Sequence, residues 1–440
     1  MKKTMRFALA CLGLLFVFST SCQPGDNSPK EPISGHFSLE QLQADLRQMR
    51  NLLERNHPDR LRYESAEALD AFFDASFQSL RQDMSEAEFF RVVAPLVART
   101  HCGHTQVRPS SAFAPGLVMP LGIYLAGGKA YVDADYGSGS GITLGREVAA
   151  INGEALAAIV ERMLAGISAD ALNTSAKTYR LSRYFFLYYN YFWGETPSFD
   201  LVLRDAAGAE SSLRVDARPF AQVEAAAGAR FNADHRLSLA MSGDRAVLRV
   251  PTFSAEQNPD FRAFFEDAFR RLNERGIARL IIDIRGNGGG APEVAAALIS
   301  HLIDRPFIYF KTGIGYPELF AASPAHAVHF RGAVHVLIDG GCFSTSGHFC
   351  SLVRHLKLAA FVGETGGGTF RCHDNSTDFV LNHTRLRLHV ARTTFEAAVP
   401  DQDVSAGFLP DHRVVPTIAD ILSGRDPQMD FAVRLFEEDN

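Results

Sequence analysis

The chain has 440 residues, 46% hydrophobic and 21% charged, with a formal net charge of −6. That hydrophobic share supports buried cores, and the length suits two to three domains. The modest charge and the lack of any basic run give no nucleic-acid-binding signature.

The first 22 residues read as a targeting segment. Lys2, Lys3 and Arg6 precede an apolar run, Phe7 to Phe18, that is too short to span a bilayer. Ser19-Thr-Ser-Cys22 then reads as a lipoprotein cleavage box with Cys22 as the lipidated residue. The other reading is an ordinary secretory signal with a coincidental cysteine. Residues 23–36 form a polar, proline-containing tether. The expectation is an exported protein of the cell envelope, held to a membrane through a lipid anchor only. An exported protein could pair Cys102, Cys342, Cys350 and Cys372, although four cysteines allow three pairings.

Residues 37–110 read as helical. Ser38 with Gln41 makes a capping box before the stripe Leu39, Leu42, Leu46, Met49, Leu53. Leu69, Phe72, Phe73, Phe77 and Leu80 stripe a second helix, and Ser85 with Glu88 caps a third, which Pro95 should kink. Residues 115–217 read as a small mixed domain. Leu117 to Tyr124, Lys129 to Val132, Phe199 to Leu203 and Ser212 to Val215 are strand-like, and the aromatic-rich Arg180 to Trp193 reads as an inserted helix. Alanine-rich residues 218–243 suit a linker. Residues 244–425 alternate strands and helices, with strands near 279–284, 307–311, 333–338, 359–363, 377–382 and 385–391. Alternation of this kind predicts an α/β core with a largely parallel sheet. Residues 426–440 read as a tail.

Two strand–turn–helix units carry the chemistry. In the first, Leu280-Ile-Ile-Asp-Ile-Arg-Gly-Asn-Gly-Gly-Gly290, an apolar strand enters a glycine-rich loop before a helix. Such a loop points N–H groups at an anion. Gly286, Gly288 and Ala291 also fit a dinucleotide fingerprint, but the next apolar run, Phe307 to Phe310, ends in Lys311 rather than in a ribose-holding acid. A ligand-free glycine turn is the bland alternative. In the second unit, strand Val334 to Asp339 and turn Gly340-Gly-Cys-Phe343 lead to Ser344, which opens a helix. Ser344 there is either an exposed nucleophile or only an N-cap.

Together the units resemble the C-terminal processing peptidase (tail-specific protease) family. Asp283-Ile-Arg-Gly-Asn-Gly-Gly-Gly290 is similar to its D-L-R-x-N-x-G-G loop, Ile338 to Ser344 to its nucleophile turn, and Phe361-Val-Gly-Glu-Thr-Gly-Gly367 to the strand and loop that follow. Gly145-Arg-Glu-Val-Ala-Ala-Ile-Asn-Gly153 resembles a PDZ segment. The resemblance implies a crotonase-like α/β sandwich protease core, a PDZ-like domain and an N-terminal helical region. It also implies serine endopeptidase activity on peptides or unfolded proteins, with Ser344 as nucleophile and no cofactor or metal.

Thr365 to Thr369 lacks the lysine of one family branch. Cys102-Gly-His-Thr105 resembles the D-G-H-T segment of the tricorn-like branch, which makes His104 the expected general base. A helix-capping role for His101 and His104, or a zinc site shared with Cys102, Cys372 and His373, stays open. Gly289, with Gly288 as its alternate, and Thr345 would supply oxyanion-hole N–H groups. Leu121, Gly122 and Ile123 would form a carboxylate-binding loop. No third member is assigned; Asp403 and Glu364 are the nearest acids. The rival class is a catalytically inactive peptide-binding envelope lipoprotein of the same fold.

Overall fold

A computed structural model of the chain describes residues 35–113, 115–231, 234–400 and 406–438. The targeting segment with Cys22, most of the tether and Asp403 lie outside the described residues.

Local signals start the N-terminal helices. Ser38 and Gln41 close a full capping box at Leu39–Asn56, Ser65 caps Ala66–Ser79, and Ser85 with Glu88 boxes Glu86–Ala98. The third helix runs through Pro95 without a break. Leu42, Leu46, Met49 and Leu53 face inward together, as a 3.6-residue period requires.

These helices share one continuous core with an antiparallel sheet. Its main strands, in spatial order, are Glu210–Asp216, Ser198–Arg204, Glu147–Ile151, Lys129–Asp135 and Leu121–Ala126. Helices Leu156–Gly166, Thr174–Arg183 and Phe185–Trp193 are inserted between the third and fourth strands in chain order. The aromatic segment is thus two helices, broken at Tyr184, and its Phe185, Phe186, Tyr189 and Phe192 are core residues.

The second core surrounds a sheet in the order Ser238–Ser242, Arg245–Arg249, Arg279–Asp283, Ala333–Ile338, Ala360–Gly363, His412–Arg413. Every pairing after the first hairpin is parallel. Leu280 and Ile282 pack against helices Phe261–Glu274, Pro292–Ser300 and Thr345–His355 on one face. Ile281, Leu337 and Val362 meet helix Pro427–Glu438 on the other. Continuous apolar strands are what a sheet covered on both faces needs. The result is a mixed α/β fold.

Three sequence expectations change. Residues 218–243 are not merely a linker: they hold helix Phe220–Phe231 and the first strand of the parallel core. Residues 427–438 are a packed helix, not a tail, with Ala432 and Phe436 buried against the sheet. The hairpin Thr377–Val380 and Arg387–Val390 does not join the parallel sheet. It pairs instead with Gln106–Arg108, and its Leu381, Leu386, Leu388 and Val390 enter the N-terminal core. Buried Asp45 of the first helix accepts N–H bonds from His383 and Thr384 and the Thr384 hydroxyl, so an N-terminal carboxylate closes this distant turn.

Candidate active site

The glycine loop and the nucleophile turn are bolted together at the carboxyl ends of neighbouring parallel strands. Asn287 is the bolt. Its carbonyl accepts the Phe343 N–H at 3.0 Å and the Ser346 hydroxyl at 2.8 Å, and its amide donates to Val250 O at 2.9 Å. Asp339 is the second tie, accepting N–H bonds from Gly286 at 2.8 Å and Gly341 at 2.9 Å. Burial pushes the Asp339 carboxyl above its ordinary range, and these N–H groups pull it back. Arg285 turns away and pairs with Asp283 and Asp426.

Ser344 opens helix Thr345–His355 with φ 56° and ψ −122°, and its side chain makes no capping bond. An N-cap serine would sit in the extended region and accept an N–H from the first turn. Here Ser346 N–H goes to Phe343 O and Gly347 N–H to Ser344 O. A strained, non-capping serine is one held for another purpose. It is 7% exposed, so the expectation of an exposed turn hydroxyl is corrected: the glycine loop and strand Arg371–Asp374 enclose it. Its hydroxyl lies in hydrogen-bonding reach of the Cys372 thiol, which burial keeps protonated.

Gly289 lies against the turn. A Cβ there would fall 2.8 Å from Ser344 Cβ and 3.0 Å from Thr345 N. Among the described residues, no hydrogen bond occupies the N–H of Thr345 or of Gly288. The Gly289 N–H does have a partner, Asn287 Oδ1 at 2.9 Å. The expected donor pair therefore changes: Thr345 and Gly288 are available, whereas Gly289 serves by close approach.

His104 is 2% exposed. Its ring packs tilted by 32°, at 4.5 Å between centroids, on Phe343, the residue before Ser344, and its Nε2 lies 3.7 Å from Asp374 Oδ2. Gly103 permits this, since a Cβ there would meet the Phe343 ring at 2.5 Å. His101 is pinned elsewhere, by Glu64 at 3.2 Å and Ala171 O at 3.1 Å. Cys102, Cys342, Cys350 and Cys372 are all buried free thiols, so none of the pairings open to them is formed. Among the described residues no group of three His, Cys, Asp or Glu is arranged to hold a metal.

Three neighbours escaped the sequence reading. His348 lies one turn beyond Ser344, with Nε2 3.5 Å from Cys372 Sγ; burial drops its pKa to about 3. The (i, i+4) spacing could have shown it. Asp374 follows Cys372 at strand period on the same face. Asp170 comes from the turn before helix Thr174–Arg183 and carried no sequence signal.

Leu121, Gly122 and Ile123 are not a loop. They begin an edge strand, Leu121 and Ile123 are fully buried, and Gly122 sits under Asp133, Tyr136 and Arg230. The adjoining cleft, about 1120 Å³, starts at Tyr124. It runs between that strand, helix Thr174–Arg183 and the loops at Gly286, Gly340 and Glu364. Burial raises the Glu364 carboxyl to about 7, and nearby Asp339 adds to the shift.

Residues 244–414 match peptidase family S41. A 123-residue stretch, 28% of this chain, is 27% identical to the carboxy-terminal processing protease CtpB of Bacillus subtilis, covering 24% of it. A chloroplastic C-terminal processing peptidase of Tetradesmus obliquus is 26% identical over 27% of this chain and 24% of its own. The matched stretch thus spans about a quarter of each relative's length. The fold is similar to that of mature CPAF complexed with lactacystin, at TM-score 0.66 and 15% identity, over 90% of this chain and 97% of that one. It is likewise similar to mature CPAF alone, at TM-score 0.67 and 15% identity, covering 90% and 96%. Residues 244–414 thus match the peptidase family S41 model, and part of the chain is similar in sequence to C-terminal processing peptidases.

Proposed function

We propose that this protein is a serine endopeptidase that hydrolyses peptides or loosely folded proteins in the manner of the tricorn-like branch. Ser344 is the nucleophile and His104 the general base. The N–H groups of Thr345 and Gly288 receive the oxyanion, and Gly289 allows the close approach. The observation that carries this is the Ser344 conformation: strained, uncapped, and pressed against the glycine loop at Gly289. Proton transfer from Ser344 to an imidazole makes the alkoxide, and preorganised amides stabilise the tetrahedral oxygen.

The parallel core is read as a crotonase-like sandwich, and the antiparallel sheet with its flanking helices as a PDZ-like module. Edge strand Leu121–Ala126, beside a helix and an open cleft, suits strand addition by a substrate peptide. The protein is placed at the cell envelope, lipid-anchored through Cys22. A serine-directed phosphonate tests the central claim. Stoichiometric labelling at Ser344, blocked in Ser344→Ala, is expected; an unlabelled, folded wild type refutes it.

A further inference from the structure

Asp170 is 3% exposed and sits in the turn between helices Leu156–Gly166 and Thr174–Arg183. Its Oδ1 accepts the N–H of Gly103, the residue before His104, at 2.7 Å. The two turns are laced together. Ala171 N–H donates to His101 O at 3.0 Å, and His101 Nδ1 lies 3.1 Å from Ala171 O. Both residues hold left-handed backbone, φ 56° at Ala171 and 49° at His101. Residues with a Cβ keep that conformation only where their surroundings impose it. The same segment reaches the far side of the site: Asn173 Nδ2 donates to Gly366 O and the Ser175 hydroxyl to Thr365 O, each at 2.8 Å.

One atom in this arrangement is unused. Asp170 Oδ2 is buried and accepts no hydrogen bond among the described residues. A buried carboxylate oxygen without a partner is costly, so a charge must appear beside it for the site to be worth keeping. Burial pushes the Asp170 carboxyl above its ordinary range, and the charge of His104 pulls it back more than the Gly103 N–H or Arg180 does.

We propose that Asp170 is the positioning acid of this site, orienting the His104 ring and stabilising the imidazolium that forms during catalysis. This rests on the serine-peptidase reading. In the acylation step the Ser344 oxygen bonds to the scissile carbonyl carbon, and the carbonyl π pair moves to oxygen. The Ser344 proton goes to His104, and Asp170 stays ionised and takes no proton. Other groups face the same ring. Asp374 is the rival acid, but its side chain is 41% exposed and water screens it. His348 and His373 are held neutral by burial, and the thiols of Cys102 and Cys372 are held protonated.

Asp170→Asn in the full chain is the test, because it keeps an oxygen for the Gly103 N–H and removes only the charge. With a fluorogenic peptide that the wild type cleaves, kcat should fall about 10- to 100-fold while KM stays within about twofold. The acid limb of the activity profile should move to lower pH, since an anion beside an imidazole favours its charged form. Asp374→Asn should cost less than about threefold, as a screened partner would. Nitrogen-15 NMR of the His104 ring reads the tautomer without any turnover: one tautomer in the wild type and a changed balance in Asp170→Asn. Wild-type kcat and acid limb in Asp170→Asn overturn the proposal. If the wild type cleaves nothing beyond the Ser344→Ala background, the peptidase reading falls, and an unchanged His104 tautomer then overturns the role of Asp170 separately. Asp170→Thr, which also keeps an uncharged acceptor, carries the same expectations should the asparagine variant not fold.

Discussion

Gly289 and Ser344 are in direct contact: a Cβ at Gly289 would lie 2.8 Å from Ser344 Cβ and 2.8 Å from Phe343 O, and the glycine has φ 102°. Neither the space nor the backbone admits a side chain. Gly289→Ala should cost about 1–3 kcal/mol of stability through overpacking. It should also lower hydrolysis by roughly 100-fold or more, as loss of an aligned oxyanion site does. Thermal melting and phosphonate labelling measure the two effects, and an alanine variant with wild-type values for both would refute the contact.

Ser344 holds the φ, ψ of the first central residue of a II′ turn, where glycine dominates. Ser344→Ala and Ser344→Gly should both lose at least about 1000-fold in turnover. Their stabilities should differ. The alanine variant keeps the strain and should melt with the wild type, whereas the glycine variant should gain about 1 kcal/mol over it. Equal melting of the two variants would mean the serine is not strained.

Lys357 ends the nucleophile helix in left-handed backbone, φ 58°. Its N–H goes to Arg354 O and that of Leu358 to Val353 O, each at 3.0 Å, which is a Schellman cap built on a lysine. Lys357→Gly should therefore stabilise the protein by about 1 kcal/mol and leave kcat unchanged. A loss of activity would instead reopen a lysine-assisted mechanism.

Four buried histidines make the fold acid-sensitive. Burial lowers His57 and His301 to about 4, and His348 and His373 to about 3. Unfolded histidine titrates near 6.5. As pH falls below that value the unfolded chain takes up protons that the folded chain refuses, so stability drops between about 6.5 and 4. Glu364, raised to about 7, has the opposite sign: the folded state holds its proton, and stability falls as pH rises from about 4.5 to 7. Four groups outweigh one, so net proton uptake on unfolding near pH 5 should exceed one. Urea midpoints of Ser344→Ala against pH give this number, and a flat profile from pH 6.5 to 5 contradicts it. Glu364→Gln should gain on the wild type only toward higher pH.

Much of the architecture was legible because local signals agreed with the global fold. The capping boxes at Ser38 and Ser85 and the apolar stripes gave the N-terminal helices. The strand-to-glycine patterns gave the units at Asp283 and Ser344. What stayed hidden depended on long-range pairing. Nothing near residue 377 announces that its hairpin will pair with Gln106–Arg108, because alternation reports a strand but not its neighbour. Leu121 to Ile123 lay in a run that reads as strand-like, and the structure has a strand there; the carboxylate-binding loop was drawn from the PDZ resemblance, which says nothing of how this segment packs. Asp170 was invisible for a similar reason: its relation to Gly103 spans 67 residues and leaves no periodic trace.

That wandering hairpin makes the molecule a closed circuit. The strand holding Cys372 and Asp374 beside the nucleophile continues directly into the segment that completes the amino-terminal core. Residues 244–440 produced alone would display Leu381, Leu386, Leu388 and Val390 to water, and would lack His104. Such a fragment should aggregate rather than act as a minimal protease. During synthesis, the half carrying the proposed base emerges first but cannot finish its own packing until the last quarter of the chain arrives. On the proposed peptidase reading, competence and completion of folding would be one event, so an unfinished copy would have no working scissors to turn on its neighbours.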